Sequence, residues 1–221
     1  MQMIRIAEHS IVLSVSYDKT ADCVAGIRRL YHSLQQNPPE GVVSIRPGLD
    51  ALLLEYDSNE SLAQSINLLE RMQHRETPGF PTATAVLQVP VCYDLGYDLE
   101  SISAQTGLSR EEVVALHTSQ EYQVWMIGFM PGFPYMGELP AGLQIARKSA
   151  PDLLVPGGAV AIADEYVGIY PFDSPGGWHV IGRTPIKILD YEREIPCTFQ
   201  YGMKVRFMPV SYDEFERIQR T

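Results

Sequence analysis

Ten of the sixteen prolines and eleven of the seventeen glycines lie beyond Met126, and that crowding limits what the second half of the chain can become. Proline fixes φ and removes a backbone donor, and both residues weaken a helix interior. No window of helical length there keeps a clean 3.6-residue period until residues 212–220. Short β-rich runs remain instead, at 124–129, 160–163, 167–170, 180–181, 186–189 and 204–207. Short strands broken by frequent turn signals predict a closed or nearly closed β-barrel.

The first part of the chain has a different rhythm. Ile11, Leu13 and Val15 alternate with smaller or polar residues, a strand pattern. From Thr20 the apolar residues Val24, Ile27, Leu30, Tyr31 and Leu34 recur at helical spacing, and Asn37-Pro38-Pro39 stops that helix. Val42, Val43 and Ile45 open a second strand, Arg46 to Asp50 turn the chain, and residues 51–56 form a third. Ser58 is placed to cap a helix with Leu62, Ile66, Leu69 and Met72 on one face. The order β-α-β-β-α by about Glu76 predicts a two-layer unit with both helices on one sheet face. Thr77-Pro78-Gly79-Phe80-Pro81 breaks the pattern, so we expect an α/β N-terminal domain over 1–80 and a β-barrel domain over 81–221, an α+β chain. Residues 85–92 read as a strand and 98–105 and 110–117 as short helices. Ser109 and Glu112 have capping-box spacing, and Gly107 suits a left-handed helix stop.

Several functions are disfavoured. A net charge of −10 with scattered Lys and Arg argues against nucleic acid. Cys23, Cys92 and Cys197 lie far apart and form no CxxC pair, so we expect three buried thiols and no metal motif. The N-terminal apolar stretch carries Arg5, Glu8 and His9, unlike a signal peptide. The apolar run 122–137 is interrupted by Pro131 and Pro134 and is too short to span a bilayer, so the expected location is the cytoplasm. No phosphate-binding loop, dinucleotide fingerprint, zinc-protease helix or nucleophile elbow is present.

Two segments stand out. Gly128-Phe129-Met130-Pro131-Gly132-Phe133-Pro134-Tyr135 runs from a strand into a loop stiffened by proline. It reads either as a braced barrel corner with core aromatics or as the apolar wall of a ligand pocket or interface. In the second, Ser174-Pro175-Gly176-Gly177-Trp178-His179, Pro-Gly-Gly predicts a tight turn whose amides could cradle an anion. Arg183 follows one short strand later and offers a planar fork suited to a carboxylate. The alternative is a hairpin with its tryptophan in the core. His117, ending a capped helix, reads as a proton-transfer candidate or as a structural hydrogen-bonder.

From His117 to Pro185 the chain strongly resembles the allophanate hydrolase subunit 1 family, which includes the B-type subunit of 5-oxoprolinase and an inhibitor of a sporulation histidine kinase. The likeness is carried by His117-Thr118 with Tyr122, by Gly128 to Tyr135, by Val155-Pro156-Gly157-Gly158-Ala159-Val160, and by Gly168-Ile169-Tyr170-Pro171 through Ser174-Pro175-Gly176-Gly177-Trp178 to Gly182-Arg183-Thr184-Pro185. The resemblance implies a cyclophilin-like barrel and a chain that works beside a related barrel partner, the C-type subunit of 5-oxoprolinase, and a third, A-type subunit. Such a complex opens 5-oxoproline to glutamate at the expense of ATP, with no ATP site identifiable on this chain. The rival expectations are inhibition of a sensor histidine kinase and one half of a urea carboxylase-type carboxyltransferase, for which this chain carries no biotin. On the leading expectation, Arg183 with Gly176 and Gly177 binds the substrate carboxylate, and the isolated chain is inactive.

Three stretches depart from that family's usual pattern. They are Cys92 to Leu99, Ala146-Arg147-Lys148-Ser149-Ala150, and Ala163-Asp164-Glu165-Tyr166-Val167-Gly168. If they touch substrate, a different substrate or a lost activity is expected.

Overall fold

A computed structural model describes residues 2–17, 20–72 and 85–220, which fall into two compact units, 1–82 and 83–221. The predicted break at 77–81 lies outside the described residues.

The first unit contains β1 (Gln2–Ala7), β2 (Ser10–Ser14), α1 (Thr20–Gln36), β3 (Val42–Pro47), β4 (Ala51–Tyr56) and α2 (Asn59–Met72). Its antiparallel sheet has the order β1-β2-β4-β3. Ile11, Leu13, Leu52, Leu54 and Tyr56 point inward at every second position and share one core with Ile27, Leu30, Leu34, Leu62 and Leu69 of the helices. The unit therefore has one strand more than the predicted β-α-β-β-α. β1 was missed because only Met3 packs against the core while Ile4 and Ile6 remain exposed at 47% and 57%, so its more apolar face is the outward one. Ser58 does cap α2, its Oγ accepting from the Ser61 amide at 3.2 Å.

The second unit is a nearly closed barrel. Its strands are β5 (Val86–Val91), β6 (Tyr122–Ile127), β7 (Pro134–Gly137), β8 (Asp152–Val155), β9 (Ala159–Ala163), β10 (Tyr166–Ile169), β11 (Ser174–Gly176), β12 (His179–Arg183) and β13 (Lys204–Pro209). Seven pair in the order β12-β9-β10-β7-β6-β13-β5, with β13 parallel to β5 and antiparallel to β6. Paired backbone bonds between Cys92 and Arg183, at 2.8 and 3.0 Å, bring the two edges together. β8 and β11 form a separate two-stranded ribbon. The helices are α3 (Leu99–Thr106), α4 (Arg110–Thr118) and α5 (Tyr212–Gln219). Ser109 and Glu112 make the full capping box, and Gly107 ends α3 at φ 74°.

Three expectations change here. Residues 186–189 form no strand, only an isolated bridge from Leu189 to Cys197. β7, β8 and β11, at four, four and three residues, are too short to show a period. Cys23 and Cys92 are buried, whereas Cys197 is half-buried.

β9 explains why the barrel carries an aromatic cluster on its outside. Val160 and Ile162 point into the barrel core, while Ala159, Ala161 and Ala163 face Phe133, Tyr170 and Trp178. Three small residues on that face leave room for three large rings. Glycines deepen the space. A Cβ on Gly168 would sit 2.5 Å from the Phe133 ring.

Candidate functional site

The cavity built on that cluster holds about 340 Å³ and lies wholly within the second unit. Its apolar wall starts in the loop after β6. Gly128 N donates to Phe133 O and Phe133 N to Met130 O, both at 3.1 Å, which closes a tight turn. Phe129 is forced to φ 67°, a left-handed conformation that side chains resist, and its ring stays 66% exposed at the cavity. Phe133 is the buried hub. Its ring meets Phe129, Tyr135, Tyr170 and Trp178 edge to face at 5.1–5.6 Å between centroids. Burial raises the Tyr170 phenol to about 12. Burial also raises that of Tyr135, against the opposing charge of Arg147.

Pro175, Gly176 and Gly177 supply another wall. The Pro-Gly-Gly segment is not the predicted tight turn, for it continues β11 and neither glycine has a positive φ. No alternating left-handed pair is present to form an anion nest there. Gly176 is required for a different reason: its missing Cβ would overlap the Tyr170 hydroxyl.

The remaining wall is charged, and in the sequence its residues marked a departure from the family's usual pattern without being site candidates. Arg147, Lys148 and Pro151 line the cavity. Their segment is pinned by Lys148 N donating to Gly177 O at 2.8 Å and by His179 Nε2 against Ala146 O at 3.0 Å. The Lys148 ammonium lies 2.6 Å from Oδ2 of both Asp98 and Asp152. A hydrogen bond from Lys148 holds the Asp152 carboxyl below its ordinary range. Arg147 lies 5.8 Å over the Trp178 ring, with Nε 3.4 Å from Asp164 Oδ2. The only signal that could have found this wall was the set of departures at 92–99, 146–150 and 163–168. They converge here through Asp98, Arg147, Lys148 and Asp164.

Of the residues singled out, Phe129, Phe133, Tyr135, Pro175, Gly176, Gly177 and Trp178 meet in this cavity. Gly132 and Pro134 are buried behind it, Gly132 at φ 83° and Pro134 at the start of β7. Ser174 pairs with Val155 in the ribbon. His179 is buried, and its Nδ1 has no hydrogen-bond partner among the described residues.

Two residues lie elsewhere. Arg183 donates from Nε to Gly157 O at 2.8 Å and stacks 5.9 Å over Phe215. His117 has no exposed surface. It shares a 2.7 Å hydrogen bond with the Tyr93 hydroxyl and packs between Tyr122 and Phe207. Burial pulls its imidazole down to about 3, so it is neutral at pH 7. Among the described residues no group of three or more His, Cys, Asp or Glu could hold a metal ion, and no helix is long and apolar enough to cross a membrane.

Comparison with known proteins adds the context that geometry alone lacks. The family described as carboxyltransferase domain, subdomain C and D, matches residues 1–199. The chain is 38% identical to the B-type subunit of 5-oxoprolinase from Escherichia coli O157:H7, covering 92% of this chain and 94% of that one. The Bacillus subtilis (strain 168) protein of the same name is 32% identical, over 82% and 81% of the two chains. The crystal structure of TTHA0988 superimposes with a TM-score of 0.80 at 34% identity, over 91% of this chain but only 40% of the other. A weaker likeness, 24% over 87% of this chain, links it to a segment making up 12% of the urea amidolyase of Saccharomyces cerevisiae.

Proposed function

We propose, from the premise that this chain belongs to the carboxyltransferase domain, subdomain C and D, family, that it serves as the B-type subunit of an ATP-dependent 5-oxoprolinase. One observation carries this reading: relatives bearing that name match at 38% and 32% identity over most of both chains. The cavity is compatible with such a role. Its edge-to-face rings enclose a small cyclic amide, and its charged wall supplies a guanidinium for a carboxylate. That wall comes from stretches that depart from the family's usual pattern, so a different small carboxylated ring, or a lost activity, is the alternative the test must separate.

Ring opening breaks the amide C–N bond with one water, the carbonyl carbon gaining hydroxyl and the nitrogen gaining the proton. A second water accompanies the conversion of ATP to ADP and phosphate. In this reading the chain contributes binding and orientation, which convert an encounter into an aligned reaction. ATP is assigned to the partners, of C and A type. One cation of the cavity is shared by two carboxylates and the other contacts a third, a poor match for a triphosphate. His117 takes the structural role, because a proton carrier needs a path to water or substrate and this ring has no exposed surface.

The test is reconstitution with each component omitted in turn. ADP release dependent on 5-oxoproline should require all of them. Full-rate turnover by this chain alone, or none by the complete set, overturns the reading. The urea amidolyase likeness favours a second reading, half of a biotin-dependent carboxyltransferase. Inhibition of the reconstituted activity by avidin would select it.

A further inference from the structure

Two cations line the cavity, and their surroundings divide their work. Lys148 is already committed. Its side chain is 14% exposed, its ammonium sits 2.6 Å from Asp98 Oδ2 and 2.6 Å from Asp152 Oδ2, and the Tyr97 ring lies 5.1 Å away. Each carboxylate is held in turn. Asp98 Oδ2 accepts from the Val180 amide at 2.7 Å, and Asp152 Oδ2 accepts from the Tyr97 hydroxyl at 3.1 Å. One ammonium between two carboxylates leaves a negative excess, so this corner repels an anion. A ligand that captured Lys148 would also strand a carboxylate in a half-buried site.

Arg147 is placed otherwise. Its side chain is 56% exposed, and its contact with Asp164 is a long 3.4 Å at Nε, a pairing that water screens. That bond engages one of the five N–H groups of a guanidinium, and it is the one side-chain hydrogen bond Arg147 makes among the described residues. Stacking over Trp178 orients the fork, and its charge acts on the Tyr135 and Tyr170 phenols that line the same cavity. Arg183, the guanidinium that sequence spacing pointed to, donates from Nε to Gly157 O and does not line the cavity.

We propose that Arg147 recognises the carboxylate of a small ring amide in this cavity and that Lys148, locked between Asp98 and Asp152, is withheld from the ligand. The identity of the ring rests on the 5-oxoprolinase reading, while the division between the two cations rests on geometry. The negative corner adds specificity, since it turns the carboxylate toward Arg147 and away from Lys148.

The experiment compares 5-oxoproline with 2-pyrrolidinone, the same ring without its carboxylate, in the reconstituted complex. Arg147→Ala should raise KM for 5-oxoproline about 10- to 100-fold at nearly unchanged kcat, the usual size of a lost charge-assisted bond. Competitive inhibition by 2-pyrrolidinone should stay within about twofold, so the preference for the carboxylated ring collapses. Arg147→Lys should recover part of that preference as a point charge. Lys148→Met should leave the preference unchanged even if both ligands weaken together. An unchanged preference in Arg147→Ala, or a collapsed one in Lys148→Met, overturns the proposal.

If the wild-type complex turns over no 5-oxoproline, the functional reading falls alone. The division of cations is then decided by fluorescence of the full-length Trp125→Phe chain, which keeps Trp178 as its one remaining tryptophan of two. Quenching by 5-oxoproline that disappears in Arg147→Ala sustains the proposal. Equal quenching in both, or none in either, overturns it.

Discussion

Two aromatic clusters in the second unit each contact a basic side chain, and access to water separates what they can do. Around His117, the rings of Tyr93, Tyr122 and Phe207 close completely, and the imidazole is held neutral. Arg147 stacks over Trp178, whose ring packs in turn on Tyr135 and Phe133, and its half-exposed side chain lines a cavity. The closed cluster stabilises the fold, and the open one is available to a ligand. A basic residue beside aromatics is thus no guide to function until its solvent access is known.

Three measurements can break or sharpen that contrast. The largest effect is expected in the closed cluster. Phe207 is 1% exposed, so Phe207→Ala should cost about 3–5 kcal/mol by calorimetry. Turnover per folded molecule should stay normal, and a changed KM would show that the closed cluster also serves the site.

The next concerns the open cluster. Gly168→Ala places a methyl 2.5 Å from Phe133 and 2.9 Å from Trp178, and neither ring can retreat freely. Overpacking should cost about 1–3 kcal/mol. On the proposed function it should also, unlike Phe207→Ala, weaken 5-oxoproline binding by displacing the cavity wall. Normal affinity in Gly168→Ala would detach the cluster from the site.

The smallest effect is one of pH. The His117 pKa falls from an ordinary 6.5 to about 3 on folding, so between these values the unfolded chain binds a proton that the folded chain refuses. Stability is complete above pH 6.5 and falls on acidification, by at most about 1.4 kcal/mol per pH unit from this group. His117→Phe should be less stable at pH 7, because the Tyr93 hydroxyl loses its partner, yet show a flatter slope between pH 6.5 and 5. Parallel slopes for the two proteins in urea titrations would mean that the imidazole is protonated in the native state.

Much of the fold was legible because its signals are local. Helix α1 shows its buried stripe in Val24, Ile27, Leu30 and Leu34, and the α4 capping box is written in Ser109 and Glu112. The proline and glycine crowding correctly indicated a nearly closed barrel. The misses were local signals that were weak. β1 leaves Ile4 and Ile6 exposed, and the ribbon strands β8 and β11 are too brief for alternation to register.

The site divides along the same line. Phe129, Phe133, Tyr135 and Trp178 were visible as an odd aromatic and glycine pattern, and they do meet. Arg183 and His117 drew attention as chemically capable types, but the fold turned one toward Gly157 and enclosed the other.

The sequence by itself determined the barrel, its aromatic loop and the small residues that make room for the rings, since periodicity, turn chemistry and side-chain volume act over a few neighbours. Only the tertiary structure decided which cation is available. Asp98 lies far in sequence from Lys148, and β8 and β9 separate Asp164 from Arg147 along the chain, yet charge interacts through space and burial is a property of the packed whole. No spacing in the sequence distinguishes Lys148 between two carboxylates from Arg147 facing an open cavity.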